Sequence, residues 1–104
     1  MAPLTHPKLQ DVPLAVALHA LADPVRLEMV RTLANSATLT CMATCPTIPK
    51  STLSNHFRIL RGAGLVRTEQ EGREARNMLR RDEFDTRFPG LLDAVLASGD
   101  PSPA

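Results

Sequence analysis

The stretch "CPTIPKSTLSNHFRILRGAGLV", residues 45–66, decides how this chain is read. Leu53, Phe57 and Leu60 recur at helical spacing, which predicts a helix over about 50–63 with one buried face. On the helical wheel Ser51, Asn55 and Arg58 fall opposite that face, with Ser54 alongside. A helix buried all round would not open on Lys50, Ser51, Thr52, Ser54, Asn55 and His56. A fully solvated one would not carry the apolar stripe. Gly62 and Gly64 near the end permit the left-handed backbone at which helices stop.

Upstream, Leu14, Leu18 and Leu21 predict a first helix from about Asp11 to Ala22. Asp23-Pro24 then combines a helix N-cap with a proline at the first helical position. The helix that follows carries Leu27, Val30 and Leu33 and should end near Asn35-Ser36. The segment "ATLTCMATC", residues 37–45, reads as a short helix or as irregular structure, closed by Pro46. Downstream, Leu65 to Gln70 and Arg73 to Leu79 read as two short strands around a turn at Glu71-Gly72. Their alternation is weak, so the hairpin should project from the body. Asp82 to Ala97 carries Phe84, Phe88, Leu91, Leu92 and Val95, interrupted at Pro89-Gly90, and predicts two helical pieces with Pro89 starting the second. Residues 1–10 read as a flexible arm, 11–97 as one domain and 98–104 as a disordered tail.

The chain has 104 residues, enough for a single domain whose small core a dimer interface would naturally supplement. Three Phe and no Trp or Tyr leave that core to aliphatic side chains. No apolar run follows Met1 and no stretch approaches bilayer length, so the expected compartment is the cytoplasm, with no membrane partner. The formal net charge is only +1, but residues 50–81 carry +5 and the remainder −4. Such asymmetry is expected of a protein with one polyanion-facing side, and on charge alone fits a solvated surface of mixed charge equally well. No nucleophile–base pair, phosphate-binding glycine loop or paired-carboxylate arrangement points to an enzyme.

The order helix, helix, short helix, turn, helix, hairpin, helix is that of a winged helix-turn-helix: mainly α with a small β-hairpin and helical dimerisation elements at both ends. The helix opening at Lys50 could enter the major groove of double-stranded DNA by its N-terminal end. There Lys50, Ser51, Thr52, Ser54 and Asn55 would reach base edges and phosphates. Arg58 and Arg61 would more readily touch the backbone, and Arg73 and Arg76 on the hairpin the adjacent minor groove or its phosphates. A competing reading makes the basic face a dock for an acidic protein partner.

The pair "ALADPVRLEMVRTLA" (20–34) and "PKSTLSNHFRILRGAGLVRTEQEGR" (49–73) resembles the ArsR-type (arsenical-resistance repressor) family of transcriptional regulators. That family shows a "LADPTRLRIL" helix, then "STVSHHLKVLREAGLV" and a charged wing ending in "EGR"; the likeness runs from about Ala20 to Leu79. The resemblance implies a homodimer that binds an inverted-repeat operator and represses transcription, often until an inducer releases it. It also implies that the outer helices form the dimer contact, with Leu14, Leu18, Phe88, Leu91 and Val95 on their apolar stripes. Metal-sensing members often carry "ELCVCDL", with thiols two apart. Here Cys41 and Cys45 are four apart and fall later, and no His follows His56, so the metal-sensor property does not carry over cleanly.

The two cysteines read as small buried residues, as two ligands of a thiophilic metal or metalloid needing a third, or as a thiol switch. His56 sits at the edge of the buried face and reads as a packed, hydrogen-bonded imidazole. His6 and His19 lack neighbours in sequence that would hold them and are expected at the surface. Arg67, Arg80 and Arg81 are expected to be solvated.

Overall fold

The computed structural model describes residues 5–36, 39–40 and 47–99; Cys41 and Cys45 lie outside the described residues. Among the described residues five α-helices and a three-stranded sheet follow one another in the winged-helix order. Helix α1 spans Leu14–Leu21 and α2 spans Pro24–Ala34. Strand β1, Leu39–Thr40, precedes α3, Lys50–Gly62. Strands β2 (Val66–Glu71) and β3 (Glu74–Leu79) form the wing. Helices α4 (Arg81–Arg87) and α5 (Leu91–Ala97) close the fold.

Local chemistry explains most boundaries. The Asp23 carboxylate accepts from the amides of Val25 (2.8 Å) and Arg26 (3.0 Å), and Pro24 occupies the first turn of α2. Those amide bonds, the Arg26 amide first, hold the Asp23 carboxyl below its ordinary value. At the far end of α3, Leu65 N–H donates to Leu60 O (3.0 Å) and Gly64 N–H to Arg61 O (3.0 Å), with Gly64 at φ +75°. This Schellman closure satisfies two orphan carbonyls and puts Leu60 and Leu65 into the same core.

Four expectations shift. The first helix begins at Leu14 and not near Asp11, because Pro13 keeps Val12 extended and leaves Leu9–Asp11 as a separate 3-10 turn. The wing turns at Gly72-Arg73, one residue later than read, with Glu71 paired to Glu74 and Gly72 at φ +62°. Helix α5 starts at Leu91 after Gly90 (φ +80°), so Pro89 precedes it and does not begin it. Leu39–Thr40 is neither helical nor irregular. It adds an antiparallel strand to the free edge of β3, Leu39 opposite Asn77 and Thr40 opposite Arg76, giving the order β1-β3-β2.

The core joins Met29, Val30 and Leu33 of α2 to Leu53, Phe57 and Leu60 of α3, with Val66, Phe84 and Leu92 from the wing base and C-terminal helices. The apolar stripe that predicted α3 is thus fully buried. In α1, Ala17 and Ala20 face inward and let the helix approach closely, while Leu14 and Leu18 stay 51% and 46% exposed beside Val16. Phe88 is buried within the chain, its ring 5.0 Å from that of Phe84, so it supports the C-terminal surface from beneath. Leu91 and Val95 are half-buried.

Candidate nucleic-acid interface

Helix α3 presents Lys50, Ser51, Thr52, Ser54, Asn55 and Arg58 to solvent while its opposite face is locked into the core. Pro49, at its N-cap, makes no side-chain cap, so the first amides of the helix have no intrahelical partner. The hydroxyls of Ser51, Thr52 and Ser54 and the Lys50 ammonium have no hydrogen-bond or ion-pair partner among the described residues. Asn55 differs: its Oδ1 accepts from the Arg58 guanidinium at 2.8 Å, one turn along the same face. Its amide NH2 therefore remains outward as a donor, and the two side chains hold each other's orientation.

The wing places Arg73 exposed at its tip, while Arg76 forms an ion pair with Glu71 on the facing strand. Sequence spacing brought Arg73 and Arg76 to one hairpin. It did not report that Arg76 is already engaged.

Two arginines matter that spacing alone did not mark. Arg26 of α2 is buried and donates through Nε to Ala20 O (2.7 Å) and through Nη2 to His19 O (3.2 Å), both at the end of α1. Its Nη1 reaches His56 Nδ1 of α3 at 3.2 Å. A guanidinium can only donate, so Nδ1 accepts and the ring carries its proton on Nε2. His56 is thus the packed, hydrogen-bonded imidazole read from the sequence, and Arg26 ties three helices together. Arg80, expected to be solvated, is buried at the base of the wing. It donates to Pro7 O (2.9 Å) and to Glu83 Oε2 (2.7 Å). Arg67 also pairs with Glu83 (3.4 Å), and Arg81 pairs with Asp85 (3.0 Å) and Asp93.

The segment before α1 is fastened at several points, although residues 1–10 read as a flexible arm. Arg87 donates to Leu9 O (3.2 Å) and Val12 O (3.0 Å), and Leu9 is buried. His6, expected at the surface, is half-buried and accepts from the Thr68 amide of β2 at 3.0 Å through Nε2. The Thr68 hydroxyl in turn donates to Asn77 of β3 (2.7 Å) and receives Arg61 of α3 (3.2 Å). Arm, wing and α3 meet at this one threonine.

Burial, then the positive field of Arg67, Arg80 and Arg61, lowers the His6 pKa, opposed only weakly by Glu69. Only a ring with a free Nε2 lone pair accepts the Thr68 amide. This contact is therefore fully present above the unfolded value of about 6.5 and lost as pH falls through the depressed folded value. Protection of the Thr68 amide from hydrogen exchange should drop in that acid window, and His6→Ala should abolish the drop. An unchanged pH profile in that variant would remove the latch.

Among the described residues no three His, Cys, Asp or Glu side chains cluster as metal ligands, and no helix is long and apolar enough to cross a membrane.

Comparison with known proteins agrees with this geometry. Residues 21–69 match a family described as a helix-turn-helix domain. An uncharacterized HTH-type transcriptional regulator of Bacillus subtilis, YceK, is 39% identical over 79 residues, covering 73% of this chain and 79% of that protein. A solved structure described as a possible transcriptional regulator for arsenical resistance superposes with a TM-score of 0.63 at 26% identity, covering 75% of this chain and 81% of that one. The transcriptional repressor BigR from Xylella fastidiosa does so with a TM-score of 0.63 at 26% identity, covering 80% and 82%. Such regulators act by binding and not by catalysis. With the exposed polar edge of α3, its hairpin wing and these relatives, the chain belongs to the ArsR-type family of winged helix-turn-helix transcriptional regulators.

Proposed function

We propose that the chain is a homodimeric repressor that docks α3 of each protomer into successive major grooves of an inverted-repeat operator. What carries this reading is the leading edge of α3, Lys50 to Asn55. Its polar side chains are solvent-facing, largely free of partners among the described residues, and mounted on a helix whose other side is immobilised by Leu53, Phe57 and Leu60. The exposed Leu14, Val16 and Leu18 supply an apolar patch on α1 suited to a second copy, with Leu91 and Val95 half-exposed on α5. Two-fold pairing would set the recognition helices about 34–36 Å apart, one turn of DNA. Selection of binding sites from a random library tests this directly. A palindromic motif with half-sites one turn apart is expected; recovery of no motif, or of single half-sites bound by a monomer, refutes it.

Within that reading, Lys50 and the hydroxyls of Ser51, Thr52 and Ser54 meet phosphates and base edges, and the free amides at the start of α3 favour a phosphate. Asn55 donates to a base edge while Arg58 holds its carbonyl. Asn55→Ala should therefore blur the preferred base at one position in each half-site, by about 1 kcal/mol of discrimination, the low end for a base contact because only the amide NH2 is free. The parent motif recovered unchanged from a selection with the variant would refute that role.

The wing arginines should behave unequally. Arg73 is uncommitted, so Arg73→Ala should weaken binding to all sequences and flatten the log–log salt dependence by about two units for the dimer, one phosphate contact per protomer. Arg76 must first leave Glu71, so Arg76→Ala should flatten it less. Equal slopes for parent and Arg73→Ala, measured by fluorescence anisotropy over a salt series, would take the wing tip off the DNA.

A further inference from the structure

An open groove of about 810 Å³ lies between the segment before α1 and the base of the wing, outside the DNA-facing edge of α3. Its size falls in the range of small-molecule sites and is far larger than an inorganic ion requires. Lys8, Arg67, Arg80 and Arg87 line it against a single carboxylate, Glu83. Pro7 and Leu9 add apolar wall. Two titratable groups of opposite kind register the positive field there. Hydrogen bonding to Arg80 holds the Glu83 carboxyl below its ordinary value, and the same arginines add to the burial that disfavours the His6 proton. Glu83, bonded to both Arg80 and Arg67, also demonstrates that this wall can seat a carboxylate. Lys8 has no acidic partner among the described residues, and Arg67 is half-exposed, with Glu83 at 3.4 Å as its ion pair. Charge on the groove wall is thus left uncompensated.

We propose that this groove is an effector site for a small carboxylate-bearing organic anion, held by Lys8 and Arg67 with its carbon body on Pro7 and Leu9. The geometry supplies a route from the anion to the DNA-facing parts. Leu9 lies so close over Gly64, at the end of α3, that an added Cβ there would stand 2.7 Å from its Cδ1. His6 bonds Thr68, and Thr68 receives Arg61 of α3. An anion that shifts the 6–10 segment therefore moves contacts made by both the wing and the recognition helix. The binding site stands on the groove alone; its effect on operator affinity rests on the DNA-binding reading above.

The test is titration of the full-length protein with benzoate, hexanoate and citrate, and with neutral benzamide as control, followed by amide chemical shifts. At least one carboxylate should give saturable shifts at Lys8 to Gln10, Thr68 and Glu83 to Arg87, and benzamide should not. Lys8→Gln and Arg67→Gln should each weaken that binding by about fivefold, near the upper limit for an exposed ion pair, and Lys8→Arg should retain it. Shifts that do not saturate for any of the three, or that are indifferent to Lys8 and Arg67, overturn the site. The second readout is affinity for DNA of the chain's own promoter with and without the bound carboxylate. A change in affinity that disappears in Lys8→Gln supports the effector role, and unchanged affinity despite groove binding overturns it. Because the first readout uses no DNA, failure of the site and failure of the DNA-binding reading are told apart.

Discussion

Phe57→Ala is expected to lower the unfolding free energy by about 3–5 kcal/mol. Phe57 is wholly buried, in the core cluster with Leu53, Leu60 and the apolar side chains of α2 and the wing base. Truncation forfeits its transfer free energy and opens a cavity that the surrounding core cannot fully close. With only three Phe in the chain, no other aromatic can take its place. Domains of this size hold about 5–15 kcal/mol in total, so the variant should keep a small fraction of the parent stability. Urea unfolding followed by circular dichroism measures this through the midpoint, with the slope unchanged. A loss below about 1 kcal/mol would mean that α3 does not rest on the core through this face.

Arg26→Ala is the second large effect, at about 3 kcal/mol. The substitution leaves the Ala20 carbonyl and the Nδ1 of His56 without the Arg26 donor, while the His19 carbonyl keeps only the Ala22 amide. Arg26→Lys should recover less than half, because one ammonium on a flexible stem cannot reproduce a planar fork aimed at acceptors on two helices. Both variants should also raise hydrogen exchange in α3 near His56, which simple loss of packing elsewhere would not do. Full rescue by lysine, or exchange in α3 that follows global stability alone, would contradict the tie between α2 and α3.

The sequence by itself determined the elements whose causes are local. The stripe Leu53, Phe57, Leu60, the Asp23-Pro24 start and the Gly64 stop each act within a few residues, through helix periodicity, an N-cap and a left-handed C-cap. That is why α2, α3 and the polar edge at Lys50 to Asn55 were legible before any coordinates, and why the family motif coincides with them. Only the tertiary structure decided the fates of His6, Arg26 and Arg80. Their partners Thr68, His56 and Pro7 lie 62, 30 and 73 residues away along the chain. A charged or titratable side chain is solvated by default, and it becomes buried only where folding delivers acceptors that satisfy it. Residue spacing carries no record of those deliveries, so the fastening of the arm, the tie from α2 to His56 and the cationic groove appear only once the chain has closed on itself.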